Sequence, residues 1–250
     1  MRTLKLTTVV VATALCAMSC GKKAENDSKA AEKAETVEKA ENAAAVDEGA
    51  ATEATGGEVS EIINIKNLWQ EKTIAVEPAA AATGIRQFAL AFCGQFPEYE
   101  PNRFLREYLQ DPKGYDREAT GYFVEVNDRN GFAFCRFMAE YSTDVDCCYW
   151  KCDNGHCLVA FWLVEEHEND VATGKAALFY DYDPATGKMS PRPEWTVMIE
   201  NAVKAADDYN ITLPEEGKDI IITKFTDSGD DSYDSTSQTM KWNGQGFTLR

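Results

Sequence analysis

The chain has 250 residues and a formal net charge of −17. That much negative charge repels phosphate backbones and anionic headgroups, which excludes nucleic acid as a partner and electrostatic adhesion to a membrane. With its terminal segments set aside, the remainder is the size of a single domain. Arg2 and Lys5 give a short positive start, and Leu6 to Met18 is mostly apolar or small. Ala17-Met18-Ser19-Cys20 then precedes Gly21-Lys22-Lys23. A charged start, a short apolar run and small residues before a cut predict an export signal over residues 1–19. The apolar run is too short to span a bilayer, which takes about 20 such residues.

A cysteine directly after the cut resembles the lipobox of bacterial lipoproteins, over these first twenty residues. The resemblance implies acylation of Cys20, with palmitate among the chains, and attachment to a membrane through that lipid. It also implies a bacterial cell-envelope location, periplasmic or surface-exposed. The alternative is an ordinary secretory signal cut after Ser19, which leaves Cys20 a plain thiol. Residues 20–60 are rich in Ala, Glu and Lys and hold almost no large apolar side chain. Such a stretch cannot bury enough surface to offset backbone ordering, so it predicts a flexible tether averaging about 35 Å end to end.

Residues 61–250 carry the apolar content. Ile62, Ile63, Ile65, Leu68 and Trp69 fit either a strand or a short helix. A break is expected at Pro78. Ile85, Phe88, Ala89, Phe92, Cys93 and Phe96 repeat at helical spacing and predict a helix buried on one face. Asn102 is the expected cap of a second helix carrying Phe104, Leu105, Tyr108 and Leu109, ended by Asp111-Pro112. From Gly121 the period becomes two. Asn130-Gly131 and Asn154-Gly155 each sit between apolar runs, a hairpin signal. Read as two-residue turns, they place Glu125 opposite Arg136 and Cys152 opposite Cys157. The second pairing makes Cys152 and Cys157 a candidate disulfide, permitted in an exported protein. Cys135 and Cys148 become neighbours if the hairpins join as a meander. A third hairpin turns at Asp183-Pro184-Ala185-Thr186-Gly187, Pro193 opens a helix to Tyr209, Ile220 to Ile222 is a buried strand, and Met240 to Phe247 is a last hairpin. The expected fold class is α+β, an antiparallel β-hairpin meander with helices packed on one face. A β-sandwich with peripheral helices is the alternative. The body resembles small hairpin-rich lipoproteins.

Tyr149 and Trp162, with Phe123, Phe134 and Met138, are expected on one face, where they form either a second core layer under the Ile85 helix or an open aromatic binding face. Cys147, Cys148, Cys152, His156 and Cys157 have zinc-like spacing, but strand alternation points Cys147 away from the rest, so no metal or other cofactor is expected. Asp227 to Asp234 is an acidic loop without EF-hand spacing. The two histidines, His156 and His167, lie in no catalytic motif. These patterns predict a membrane-anchored, non-catalytic binding or structural domain with an unknown protein or glycan partner. A glycan hydrolase using paired carboxylates and a metal-handling module are the alternatives.

Overall fold

The computed structural model describes residues 60–77, 83–137, 142–166, 174–229 and 232–250. The signal, Cys20, the tether, Pro78, Met138 and His167 lie outside them. Short helices α1 (Glu61–Trp69), α2 (Ile85–Gln95), α3 (Glu100–Gln110) and α4 (Arg117–Thr120), with the two-residue strand β1 (Ile74–Ala75), precede the period-two region. That region supplies β2 (Tyr122–Asn127), β3 (Phe132–Phe137), β4 (Thr143–Lys151), β5 (Cys157–Glu165), β6 (Gly174–Asp183) and β7 (Lys188–Pro191). Then come α5 (Pro193–Val203), β8 (Asp208–Thr212), β9 (Ile220–Asp227), β10 (Tyr233–Trp242) and β11 (Phe247–Leu249). The fold is α+β. Strands β1 to β7 form one antiparallel sheet in the order β1-β7-β6-β5-β4-β3-β2, and β8 to β11 form a second in the order β11-β10-β9-β8.

Both faces of the seven-stranded sheet are covered. Side chains of Val145, Cys147, Phe161 and Tyr180 share one core with Ile65, Phe88, Phe92 and Leu105 of the first three helices. Trp150, Leu158, Trp162 and Phe179 share the other with Ile199 and Val203 of α5 and with Ile211, Ile222 and Phe247 of the second sheet. The sequence cause is visible in β5. Its residues Leu158 to Glu165 are buried at every position, as an unbroken apolar run requires and an alternating one does not.

Helix α2 buries Ile85, Phe88, Ala89, Phe92 and Cys93 as the spacing predicts. The ambiguous stretch before it is helical as α1. Asn102 corrects its expected role. It lies inside α3, fully buried, and its amide Nδ2 donates to the Phe96 carbonyl at 2.8 Å. It therefore caps the end of α2, while Pro101 opens α3, where a missing N–H costs nothing. Helix α5 stops at Val203, six residues short of expectation, because Tyr209 belongs to β8 and its ring packs on Trp162.

The two Asn-Gly turns are longer than two residues. Gly131, at φ 70°, closes a four-residue loop by donating to the Asn127 carbonyl at 2.9 Å, so Asn127 faces Phe132. Arg136 then lies opposite Phe123, not Glu125. This shift is by two, so every side chain keeps its face. The second shift is by one. Gly155, at φ 86°, donates to the Cys152 carbonyl at 3.0 Å, and Cys152 N–H donates to the His156 carbonyl at 2.9 Å. The turn is thus Asp153-Asn154-Gly155, Lys151 pairs with Cys157, and all later side chains of β5 exchange faces relative to β4.

The expected Cys152–Cys157 cross-link is corrected by that shift. Cys152 packs against the core shared with the second sheet and Cys157 against the helix-side core. Both are free thiols, as are Cys93, Cys135, Cys147 and Cys148. Cys135 faces Val145 and Cys148 faces Phe132, so these two are not neighbours either.

Candidate functional site

The aromatic face expected at Tyr149 and Trp162 does not form. Adjacent in neither strand nor core, the two rings point to opposite sides of the sheet, again because the turn is one residue longer. Tyr149 lies under α2, edge-on to Phe88 at 5.2 Å, and closes over Gly131, where a Cβ would come within 2.6 Å of its ring. Trp162 faces the second sheet, 5.8 Å from Tyr209.

Trp162 also lines a cleft of about 820 Å³ between the two sheets. One wall is the far end of β3, β4 and β5, with Phe132, Arg136, Asp144, Asp146 and Val164. The opposite wall is β8, the loop after it and β9, including Tyr209, Leu213, Glu215 and Phe225. Alternation explains the acidic wall. Asp144 and Asp146 have the same parity as Cys148 and Trp150, so two carboxylates occupy positions where the strand otherwise presents core side chains. Thr143-Asp144-Val145-Asp146 thus held a signal, polar residues on the inward parity, which sequence reasoning passed over.

Asp146 is buried and held by Arg136 through bonds of 3.1 and 3.0 Å to its two oxygens, while the guanidinium stacks on Phe134 at 4.3 Å. Burial still raises the Asp146 pKa, with Arg136 opposing. Burial, and then the Asp146 charge, push Asp144 up to about 6. Its Oδ1 is buried and meets no hydrogen-bond donor. Across the cleft Lys175 donates to Asp208 at 2.7 Å and to the Tyr209 carbonyl at 3.3 Å, and pairs with Glu166 at 3.2 Å. Replacing Arg136 with Met leaves Asp146 as a buried, uncompensated charge. Because Arg136 is itself partly exposed, the expected loss is about 2 kcal/mol, below the 3–5 of a fully buried pair. Urea denaturation of R136M and of the double variant R136M/D146L checks this, with the double variant recovering most of the loss.

The remaining expected positions hold no such constellation. His156 gains a partner, Asp181, 2.8 Å from Nδ1, and its Nε2 faces Asp183 at 3.8 Å. Among the described residues there is no group of three or more His, Cys, Asp or Glu able to hold a metal ion. Cys147 and Cys148 point into different cores, so the cysteine run does not converge. The acidic loop from Asp227 to Asp234 lies partly outside the described residues. In its described part Asp227 accepts from the Gly229 N–H at 2.7 Å.

Comparison with protein families, with curated proteins and with solved structures finds no match in any of the three.

Proposed function

We propose that this chain is a lipid-anchored cell-envelope protein whose folded body binds a ligand in the cleft between its two sheets without transforming it. The observation that carries the reading is Asp144. A carboxylate oxygen buried without a donor costs stability, and the residue that carries it, whose carboxyl otherwise accepts from the Phe137 N–H, lines an open cleft of ligand size. A bound ligand supplies the missing donor. The apolar rings on both walls suit ligand binding. The lipobox-like start supports attachment to a membrane.

A second reading has one observation in its favour. Asp144, raised to about 6, stays partly protonated near neutral pH, and Glu215 stands on the opposite wall. Paired carboxylates of this kind serve glycoside hydrolysis. One experiment separates the two. Hydrogen exchange of segments 142–148 and 208–219 is followed while a glycan and small-molecule library is titrated in, and products are analysed in parallel. Saturable protection confined to these segments, without product, is the expected result. Glycan turnover lost in both D144N and E215Q establishes the hydrolase, and protection elsewhere removes the cleft as the site.

A further inference from the structure

We propose that the cleft ligand is a saccharide carrying no negative charge, with an amine-bearing sugar preferred. This rests on the reading of the cleft as a binding site. Charge gives the first part of the argument. Among the described residues, seven carboxylates line the cleft against two cations, Arg136 and Lys175. Both cations are already committed, Arg136 to Asp146 and Lys175 to Asp208, Glu166 and the Tyr209 carbonyl. Among the described lining residues, no cation remains for a phosphate, sulfate or uronate. Asp144, Glu215 and Glu216 meanwhile have no cation at ion-pair distance among the described residues, so an ammonium group is drawn in.

Hydrogen bonding gives the second part. Asp144 Oδ1 lacks a donor. Trp162 is 3% exposed and lines the cleft, and its indole N–H is a donor a ligand oxygen can meet there. The wall formed by β4 and β5 thus presents one acceptor without a donor and one donor. A carboxylate ligand only accepts and leaves Asp144 unmet. An alkylammonium only donates and leaves Trp162 unmet. A sugar hydroxyl does both. The rest of the lining includes the rings of Tyr209, Phe132 and Phe225, which suit the C–H face of a pyranose. A volume of about 820 Å³ holds a short oligosaccharide.

The test titrates the full-length protein calorimetrically with oligomers of glucosamine, of N-acetylglucosamine and of galacturonic acid. The expected order is glucosamine tightest, the acetylated sugar next, and no detectable binding of the uronate. Trp162→Phe keeps an aromatic ring, although a smaller one, and removes the N–H, and Asp144→Asn removes the charge. Each weakens binding about tenfold. Glu215→Gln, at an exposed position, weakens the amine sugar about threefold and leaves the acetylated one unchanged. Circular dichroism confirms that each variant is folded. Uronate binding as tight as glucosamine overturns the proposal, as does unchanged affinity in W162F and D144N. Failure of all three saccharides also overturns it, while the cleft itself stands or falls separately by the hydrogen-exchange protection described above.

Discussion

Replacing Phe92 with alanine lowers the stability of the folded body by about 4 kcal/mol. Phe92 sits at the middle of α2, fully buried. Its ring stacks on Phe161 of β5 at 3.7 Å and meets Phe96 at 5.1 Å and Tyr180 of β6 at 6.1 Å. One side chain therefore joins the helix to two central strands of the larger sheet. Truncation removes the transfer energy of the ring, the stacked contact and the filling of the space it leaves. The neighbours are other large rings on a rigid sheet, so collapse into the space is limited. Against a total of about 5–15 kcal/mol for a domain, the loss is large. For a body of this size it corresponds to a fall in Tm of about 8–16 °C. Thermal and urea unfolding check it. A loss under about 1 kcal/mol means that α2 does not pack on the sheet there.

Changing Cys20 to serine moves the protein from the membrane fraction to the soluble one. Among the described residues no helix is long and apolar enough to cross a membrane. On the proposed reading, attachment resides in acyl chains on one residue, at about 0.8 kcal/mol per buried methylene. On the proposed lipid anchor, two or more chains on Cys20 would hold the molecule firmly, and serine, lacking the sulfur, would receive none. Fractionation with mass spectrometry of the mature N-terminus checks both location and modification. C20S that stays with the membranes removes the lipid anchor from the account.

The sequence makes legible what depends on period. Six apolar residues at helical spacing marked α2, and the change to alternation at Gly121 marked the start of the meander. The hairpins were found because Asn-Gly and Asp-Pro-Ala-Thr-Gly need special backbone angles. Turn length was not legible. Gly155 with positive φ serves a two-residue and a three-residue turn equally well, and that one residue decided which face Trp162 occupies and whether Cys152 meets Cys157. The cleft was hidden for another reason. Its walls come from Arg136, Asp144, Trp162, Tyr209 and Glu215, which are brought together only when the second sheet closes on the first. Asp144 and Asp146 on inward parity were the one local sign of it.

Asp144 is expected to serve a ligand at a cost to folding, and its pH behaviour gives the sign. The carboxyl has a higher pKa folded, about 6, than unfolded, near the ordinary 3.8. The folded state therefore holds its proton more tightly. The penalty is fully present above about pH 6, is relieved as pH falls through that value, and vanishes below the unfolded pKa. Asp146, Arg136 and Glu166 face the same carboxyl and stay in place in the variant. Because Asp144 is partly exposed, the penalty at pH 7 is about 1–2 kcal/mol. The decisive measurement is urea unfolding of D144N beside the wild type between pH 4 and 8, with glucosamine-oligomer affinity read on the same samples at pH 7. The expected result is a variant at least as stable as wild type at pH 7, with a flatter profile between pH 4 and 6 and about tenfold weaker binding. A variant that loses more than about 1 kcal/mol at pH 7 while binding as tightly as before contradicts the account, because Asp144 would then be a folding residue and the cleft no site for a ligand.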